Sequence, residues 1–498
     1  MTNCNISDEH WIDFLQTNSI IETKEEIIKR QKVLLLLQST LRNFVRDVIK
    51  ENDYKRTDLN CILLPFGSYG LGGYLRNADI DLVLICPWLV KRNAFNKFFP
   101  DNLKHLATIR DVEVIRQASV PIIKCTVDSI SIDISFVRLR ESKIDPGINL
   151  LDDSLLDDID PVCVASMDGP RVNQFIKSQI LSQHISIFQR CLQCVKYWAN
   201  QRQIYSKPIG YLNGSSWTLL LVKAYQLIRN SSEDITISSL LKTFFETWRD
   251  WPWPAPVMLT GSIPGKHGAR IEYQSLMEFE DAIMPIVSPC YPVCNTTPYV
   301  RKATLKIMSR EFERACIILN GIQDDQVNPK EILKKLFNPV SYFKRYRHFI
   351  TIVTSSSTNN SHEIWVRKMA HNISQLVSLI ENSTELKLIQ PVIKPKIIIK
   401  NYRTLQECKA LQAGMSLEEA KVLDQTGTLC PGTIYLSYYL IGVQLEESCK
   451  FIDLSSEVNR FKASLESKRN KNDSDVQWAI NVMTRAEVSN LLGGVKDF

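Results

Sequence analysis

The stretch PFGSYGLGGYLRNADIDLVL, residues 65–84, sets two carboxylates at the mouth of an apolar run. Like charges this close repel, and burying them is costly. A chain that does so must fold to leave that end of the run open to something that neutralises it. In a strand, side chains alternate faces, so Asp79 and Asp81 share one face while Ile80 and Leu82 take the other. SISIDISF, residues 129–136, repeats the device: Ile130, Ile132, Ile134 and Phe136 face one side, and Ser131, Asp133 and Ser135 the other. If the two strands are neighbours, three carboxylates converge on an open polar face. Divalent cations remove the repulsion. Mg²⁺ suits carboxylate oxygen and leaves coordination positions for water and substrate phosphates. Two such ions serve in-line attack at phosphorus.

LLPFGSYG, residues 63–70, reads as a strand ending at a turn that opens a helix. Gly67 lets backbone approach a phosphate. The N–H groups of that helix start and the Ser68 hydroxyl can donate to phosphate oxygens. Asp79 follows Ser68 by eleven residues. Either motif alone is commonplace; the combination with a third Asp on an alternating strand is specific.

At 498 residues the chain exceeds one ordinary core and is expected to form two to four domains. No stretch approaches the roughly 18 apolar residues of a membrane span. MTNCNISDEHW lacks the basic start and apolar core of a secretory signal, so a reducing compartment and thiol cysteines are expected. Net charge is only +6, but residues 331–410 hold 13 Lys or Arg against 5 Asp or Glu. That local excess suits a phosphate backbone.

Residues 8–52 read as helix. Strands follow at CILLPF, DIDLVLIC, DVEVIRQ, PIIKCTV and ISIDISFV, with a helix at 91–109 between the second and third. This is an α/β unit. The acidic LLDDSLLDDIDP, residues 150–161, reads as a boundary, and a helical block runs from it to about 340, broken by WPWPAPVM and MPIVSPCYP. Beyond, HFITIVT, IYLSYYLIGVQL and VQWAINVM read as strands alternating with helices at 364–380 and 457–469. That order suggests a small ferredoxin-like or RNA-recognition-like sheet with helices on one face. SSSTNNS (355–361) and KRNKNDSD (468–475) read as mobile linkers. Cys191-x-x-Cys194 lies inside a helix without a second pair, and Cys290 and Cys294 are spaced differently, so zinc is not expected.

Gly-Ser, a spacer, Asp-x-Asp and a distal Asp resemble the pattern of the polymerase-beta-like nucleotidyltransferases. CVKYWANQRQIYSKPIGYLNGSSW (194–217), DDSLLDDID (152–160), WRDWPWPAPVML (248–259) and MPIVSPCYPVCNTT (284–297) resemble, in order, segments of eukaryotic nuclear poly(A) polymerases. The resemblance implies an α+β multidomain fold: N-terminal helices 1–55 packing with the middle domain, a nucleotidyltransferase palm 56–160, a helical middle domain 161–340 and an RNA-recognition-like domain 341–498. It implies that Asp79, Asp81 and Asp133 hold two Mg²⁺ ions, with Mn²⁺ as a substitute, and that Phe66, Gly67, Ser68 and Leu75 line the ATP triphosphate. Lys196, at the edge of the apolar stripe Phe188, Cys191, Leu192, Val195, Trp198 and Ala199, would reach that triphosphate from a cleft. Tyr205, Gly214 and Ser215 would lie at the nucleotide, with serines 215 and 216 capping the helix that follows. The expected activity is template-independent addition of AMP from ATP to an RNA 3′ end, by a monomer in the nucleus working with cleavage and polyadenylation factors and without a membrane. Alternatives are a uridylyltransferase and an inactive RNA-binding scaffold.

RNA contacts are expected from Lys344, Arg345, Arg347, Lys394, Lys396 and Lys400, since the C-terminal region lacks the stacking aromatics of an RNA-recognition signature. The chain departs from the family at Gly70 (Arg), Leu75 (Thr), Asp168 (Asn) and Asn200 (Lys). Animal relatives carry a long basic tail after this core; the chain ends at Phe498, so regulation through such a tail is not expected.

Overall fold

A computed structural model describes residues 6–51, 59–229, 234–273, 276–321, 328–383, 385–416, 418–419, 429–449, 452–469 and 473–493. The expected long N-terminal helix is two, α1 (Asp8–Thr17) and α2 (Lys24–Glu51). Ser19, in the left-handed region at φ 54°, turns the chain between them. Thr23 and Glu26 then form a reciprocal cap on α2, the Thr23 N–H donating to the Glu26 carboxylate at 2.9 Å.

The palm comprises β1 (Ile62–Phe66), α3 (Gly67–Leu71), β2 (Ile80–Cys86), α4 (Arg92–Lys104), β3 (Ile109–Ile115), β4 (Ile122–Val127) and β5 (Ile130–Arg138). Its sheet runs β1-β2-β5-β4-β3, with only β2 and β5 parallel. Ile80, Leu82, Leu84, Ile132, Ile134 and Phe136 face α2 and α4 in one core. Val83, Ile85 and Val137 face α5 (Pro161–Gln179), whose Cys163 and Met167 pack on them. The two N-terminal helices, expected together on the middle domain, part company. Trp11 and Leu15 of α1 pack with the middle domain, whereas Val33, Leu37, Phe44 and Val48 of α2 form a stripe against the palm.

The middle domain follows through α6 (Ile185–Gln201), α7 (Gly214–Ile228), α8 (Ile237–Asp250), the short hairpin β6 (Ile263–Pro264) and β7 (Arg270–Ile271), α9 (Lys302–Asn320) and α10 (Pro329–Leu336). Trp198, Trp217, Phe244, Phe245 and Phe312 stack edge to face or offset at its centre.

The C-terminal domain contains α11 (Tyr342–Arg345), β8 (His348–Ser356), α12 (Asn359–Ile380), β9 (Leu386–Pro391), β10 (Lys396–Thr404), α13 (Leu405–Gln412), β11 (Leu429–Leu445), helix Ser455–Ser467, β12 (Gln477–Thr484) and helix Arg485–Leu491. The sheet order β10-β11-β8-β12 is that of a ferredoxin-like fold. Helices cover both faces, not one. Trp365 of α12 stacks on Trp478 at 5.0 Å on one side. On the other, the end of α13 closes over β8 and β12: a Cβ on Gly414 would lie 3.0 Å from Val353, and the Asn481 amide donates to Ala413 O at 2.7 Å. HFITIVT is accordingly buried along its length, as a strand covered on both sides must be. SSSTNNS is no linker either: it ends β8 and opens α12, its Ser356, Ser357 and Thr358 hydroxyls donating to Asp475. Part of KRNKNDSD lies outside the described residues. One apolar core runs without a break from the middle domain into this sheet.

Candidate active site

Asp81 lies in parallel register beside Asp133 and opposite Phe66, where α5 has left the sheet face open. Asp79 precedes β2 rather than lying in it. One oxygen from each of Asp79, Asp81 and Asp133 falls within 4.8 Å of the other two. Among the described residues this is the one cluster of three such donors. Asp79 is exposed and the other two are half-buried. Burial pushes the Asp81 carboxyl up to about 7, with Asp79 and Asp133 adding repulsion, while Lys196 and Lys124 pull it back. Burial likewise raises Asp133, which Lys124, its cross-strand partner on β4, opposes from 3.5 Å.

The Asp133 Oδ1 is buried without a hydrogen bond and faces the Lys124 ammonium at 3.5 Å. At an effective dielectric near 20, two carboxylates at such spacing repel by about 3 kcal/mol. Two lysines cannot offset three carboxylates. The donor set therefore fits hard divalent cations, which take carboxylate oxygen.

α3 stands over this cluster. Gly67 has φ 62°, and a Cβ there would lie 2.3 Å from Asp81 Oδ2. Its carbonyl accepts from the Asn173 amide of α5 at 3.2 Å, and Phe66 packs on Gly169, where any Cβ would meet its ring at 2.7 Å. The absent arginine at Gly70 has a steric reason: a Cβ would lie 2.5 Å from Asn173 Nδ2 and 2.8 Å from Pro65 O. The loop into Asp79 is clamped at both ends. Gln189 and Gln193 of α6 donate to Leu71 O at 3.0 Å and Tyr74 O at 2.9 Å. Arg30 of α2, 1% exposed, donates to Ala78 O at 2.6 Å and pairs with Glu22 at 2.7 Å. Leu75, in this loop, is half-buried against the middle-domain core.

Lys196 is not at an exposed edge. It is 4% exposed, and burial pushes its ammonium down to about 8 against the pull of Asp81 and Asp79. Burial also raises Tyr205, to about 12, with the same two carboxylates contributing. Tyr205 and Lys196 meet at Gly214, where a Cβ would lie 2.5 Å from the tyrosine hydroxyl and 3.8 Å from Lys196 Cε. The cap of α7 is Asn213, not the serines: its side chain accepts from the Ser216 N–H at 3.0 Å. Ser215 is exposed; Ser216 is fully buried, its hydroxyl donating to Asn213 Oδ1 at 2.8 Å. Asn200 turns inward, donating to Lys196 O at 2.8 Å. Burial raises Asp168, which Arg171 and Lys207 oppose. Ser68 sits half-buried in α3, whose N-terminus has no side-chain cap.

The RNA candidates fall on two elements. Lys344, Arg345 and Arg347 lie on or just after α11, Lys394, Lys396 and Lys400 on or just before the edge strand β10. Arg345 is already engaged, with Glu311 and Gln390 each at 3.0 Å. Sequence reasoning missed Lys124, which the pairing of β4 with β5 supplies, and the clamps Arg30, Asn173, Gln189 and Gln193. Cys191 and Cys194 are core residues of α6.

Two outcomes follow. Gly67→Ala is expected to displace the Asp81 carboxylate and lower the transfer rate about 100-fold, the scale of an ångström's misplacement. A melting curve should show a loss of only about 1–2 kcal/mol; full activity would mean the contact is relaxed freely. Second, a cation needs Asp81 ionised. Without metal, a raised carboxyl favours the folded state below the ordinary aspartate range, and that contribution is lost as pH rises toward 7. Metal affinity runs the opposite way, so the rise in melting temperature on adding Mg²⁺ should be larger at pH 8 than at pH 6. Calorimetric scans at the two values decide it.

Three family models match in succession: the poly(A) polymerase nucleotidyltransferase domain over residues 5–180, its central domain over 187–339 and its predicted RNA binding domain over 341–492. Poly(A) polymerase pla1 of Schizosaccharomyces pombe is 29% identical over 414 residues, 82% of this chain and 71% of the relative. Nuclear poly(A) polymerase 2 of Arabidopsis thaliana is 27% identical over 436 residues, 84% of this chain and 52% of the relative. A solved structure of the RNA terminal uridylyl transferase Cid1 covers 67% of this chain and 99% of its own at 18% identity and TM-score 0.45, too distant to bear on nucleotide choice. Matched by family models from end to end, the chain belongs to the poly(A) polymerase family.

Proposed function

We propose that the protein is a template-independent poly(A) polymerase that transfers AMP from ATP to the 3′-hydroxyl of RNA and releases pyrophosphate. The observation that carries this is the convergence of Asp79, Asp81 and Asp133 beneath the Gly67 turn, in a chain of this family. The three carboxylates would hold the divalent cations, with Mg²⁺ the physiological pair and Mn²⁺ a substitute. Bound there, such ions lower the pKa of an attacking hydroxyl and neutralise phosphate charge.

The chain's own residues do the rest. The turn at Phe66, Gly67 and Ser68 presents backbone N–H groups and a hydroxyl to the triphosphate. Lys196 supplies a dry cation beside the carboxylates, where its charge acts more strongly than at the surface. Tyr205, Gly214 and Ser215 line the nucleotide's side of the cleft, with Leu75 on the loop above. Arg30 and the α6 glutamines hold Asp79 in register, so positioning rather than covalent chemistry carries the rate. Lys344, Arg345, Arg347, Lys394, Lys396 and Lys400 engage RNA phosphates. The protein acts in the nucleus, as the name of its Arabidopsis relative says of that protein, and works as a monomer beside cleavage and polyadenylation factors. Among the described residues no helix is long and apolar enough to cross a membrane. The palm spans 56–160, the middle domain 161–340 with α1 added, and the RNA-binding domain 341–498.

Primer extension on oligo(A), with each nucleoside triphosphate separately and with Mg²⁺ or Mn²⁺, is the test. Tails from ATP alone are expected. UTP-selective tails would move the chain to the uridylyltransferases. RNA binding without extension by any nucleotide would leave a scaffold.

A further inference from the structure

Where α6 ends and the C-terminal domain begins, a pocket of about 400 Å³ opens, sharing no lining residue with the carboxylate cluster. Its walls carry Arg202, Arg314, Lys344 and Arg345, with Asn338 and Ser341 between them. Glu311, behind two of these arginines, is 1% exposed and already engaged by Arg202 at 2.7 Å and Arg345 at 3.0 Å. Four cations thus face one pocket around one spent anion. Burial pushes Arg314 down to about 10, with Arg202 and Arg345 adding repulsion and Glu311 opposing them.

Arg314 is held in place rather than free to leave. Its guanidinium donates to Leu336 O at 3.1 Å and to Lys335 O, the last carbonyls of α10. The Ser341 hydroxyl is buried and has no hydrogen-bond partner among the described residues. Lys344 is exposed at the rim. A fixed guanidinium, a mobile ammonium and an unsatisfied hydroxyl around one cavity match the oxygens of a phosphate.

We propose that this junction pocket is a second phosphate-binding site, held by Arg314, Lys344 and Ser341 with Arg345 behind them. Its occupant is a phosphate group carried either by an RNA strand or by a small polyphosphate. The RNA occupant rests on the reading above, which gives Lys344 and Arg345 to RNA phosphates, and adds Arg314 and Ser341 to them; the small-polyphosphate occupant does not depend on it.

The experiment has two arms, each run on wild type, Lys344→Gln and Arg314→Gln in EDTA, which keeps the carboxylate site from holding phosphate through metal. In the first, the anisotropy of labelled oligo(A) is followed over a salt series. An RNA occupant predicts affinity weakened about 3-fold or more, with the slope of log K against log salt reduced by about 0.7, one single-strand phosphate contact. In the second, pyrophosphate binding is followed by ³¹P line broadening. A small-polyphosphate occupant predicts broadening with wild type and its loss in the variants. Either pattern supports the site and names its source. Wild-type affinities retained by both variants in both arms would overturn it, as would wild type binding neither probe. Among the described residues Lys344, exposed at its position, makes no hydrogen bond or ion pair, so if Arg314→Gln melts early, Lys344→Gln decides alone. Primer extension on the same samples reports separately on the polymerase reading.

Discussion

Asp81→Ala is expected to lower nucleotide addition by about 10³-fold or more, the scale on which a dry site loses electrostatic stabilisation. The same change should leave the metal-free protein as stable as wild type or more so. Asp81 is half-buried beside two other carboxylates, and burial first, then their repulsion, pushes its carboxyl up. Deleting it removes a charge that the fold does not want and the chemistry does. Primer extension and a thermal melt in EDTA, on one preparation, check both halves. A variant that extends at a tenth of the wild-type rate, or that melts well below it, would refute this account of the carboxylate. Asp133→Ala should behave alike in activity, but it also strands the Lys124 ammonium at 3.5 Å, so its stability gain should be smaller.

Glu311→Gln is expected to cost about 3–5 kcal/mol, the scale of leaving buried charge uncompensated. Glu311 is 1% exposed and Arg202 4%, joined at 2.7 and 3.2 Å, with Arg345 at 3.0 Å. Burial alone would raise the Glu311 carboxyl, but the two guanidiniums overcome it and hold it below the usual range. The sign follows. A depressed carboxyl stabilises the protein above the ordinary glutamate range, and that contribution is lost as pH falls through it. Urea titrations should show the variant weaker near pH 7 and nearly equal to wild type in acid. A midpoint unchanged at pH 7 would mean that the cations find water when their partner is removed. The cost should reach both the middle and C-terminal domains, since Arg202 caps α6 while Arg345 leads into β8.

The palm strands were legible because their period is two and their faces differ in kind. Ile132, Ile134 and Phe136 against Ser131, Asp133 and Ser135 say which side is core before any fold is known. The carboxylate cluster followed from two such strands lying side by side. What stayed hidden depends on distant neighbours. Nothing local marks Arg30 as the donor to Ala78, 48 residues on. Lys196 looked like an edge residue because helical periodicity reports angle, not what packs above it. β9 is only six residues long and α13 only eight, while β10 lies at a sheet edge, exposed or half-buried at every residue but Thr404, so its pattern marks no core side. Asn213 was passed over as a cap because three small residues after it offered themselves first.

The placement of α13 reaches beyond packing. Its end occupies the sheet surface on which RNA-recognition folds lay bases against aromatic rings. Among the described residues, that part of the surface is occupied by protein rather than open to bases. What the domain offers RNA instead is basic side chains, such as Lys394, Lys396 and Lys400 beside β10, and a phosphate backbone presents them the same charge in every sequence. Such a grip is indifferent to what was transcribed, which suits an enzyme that writes its tail without a template.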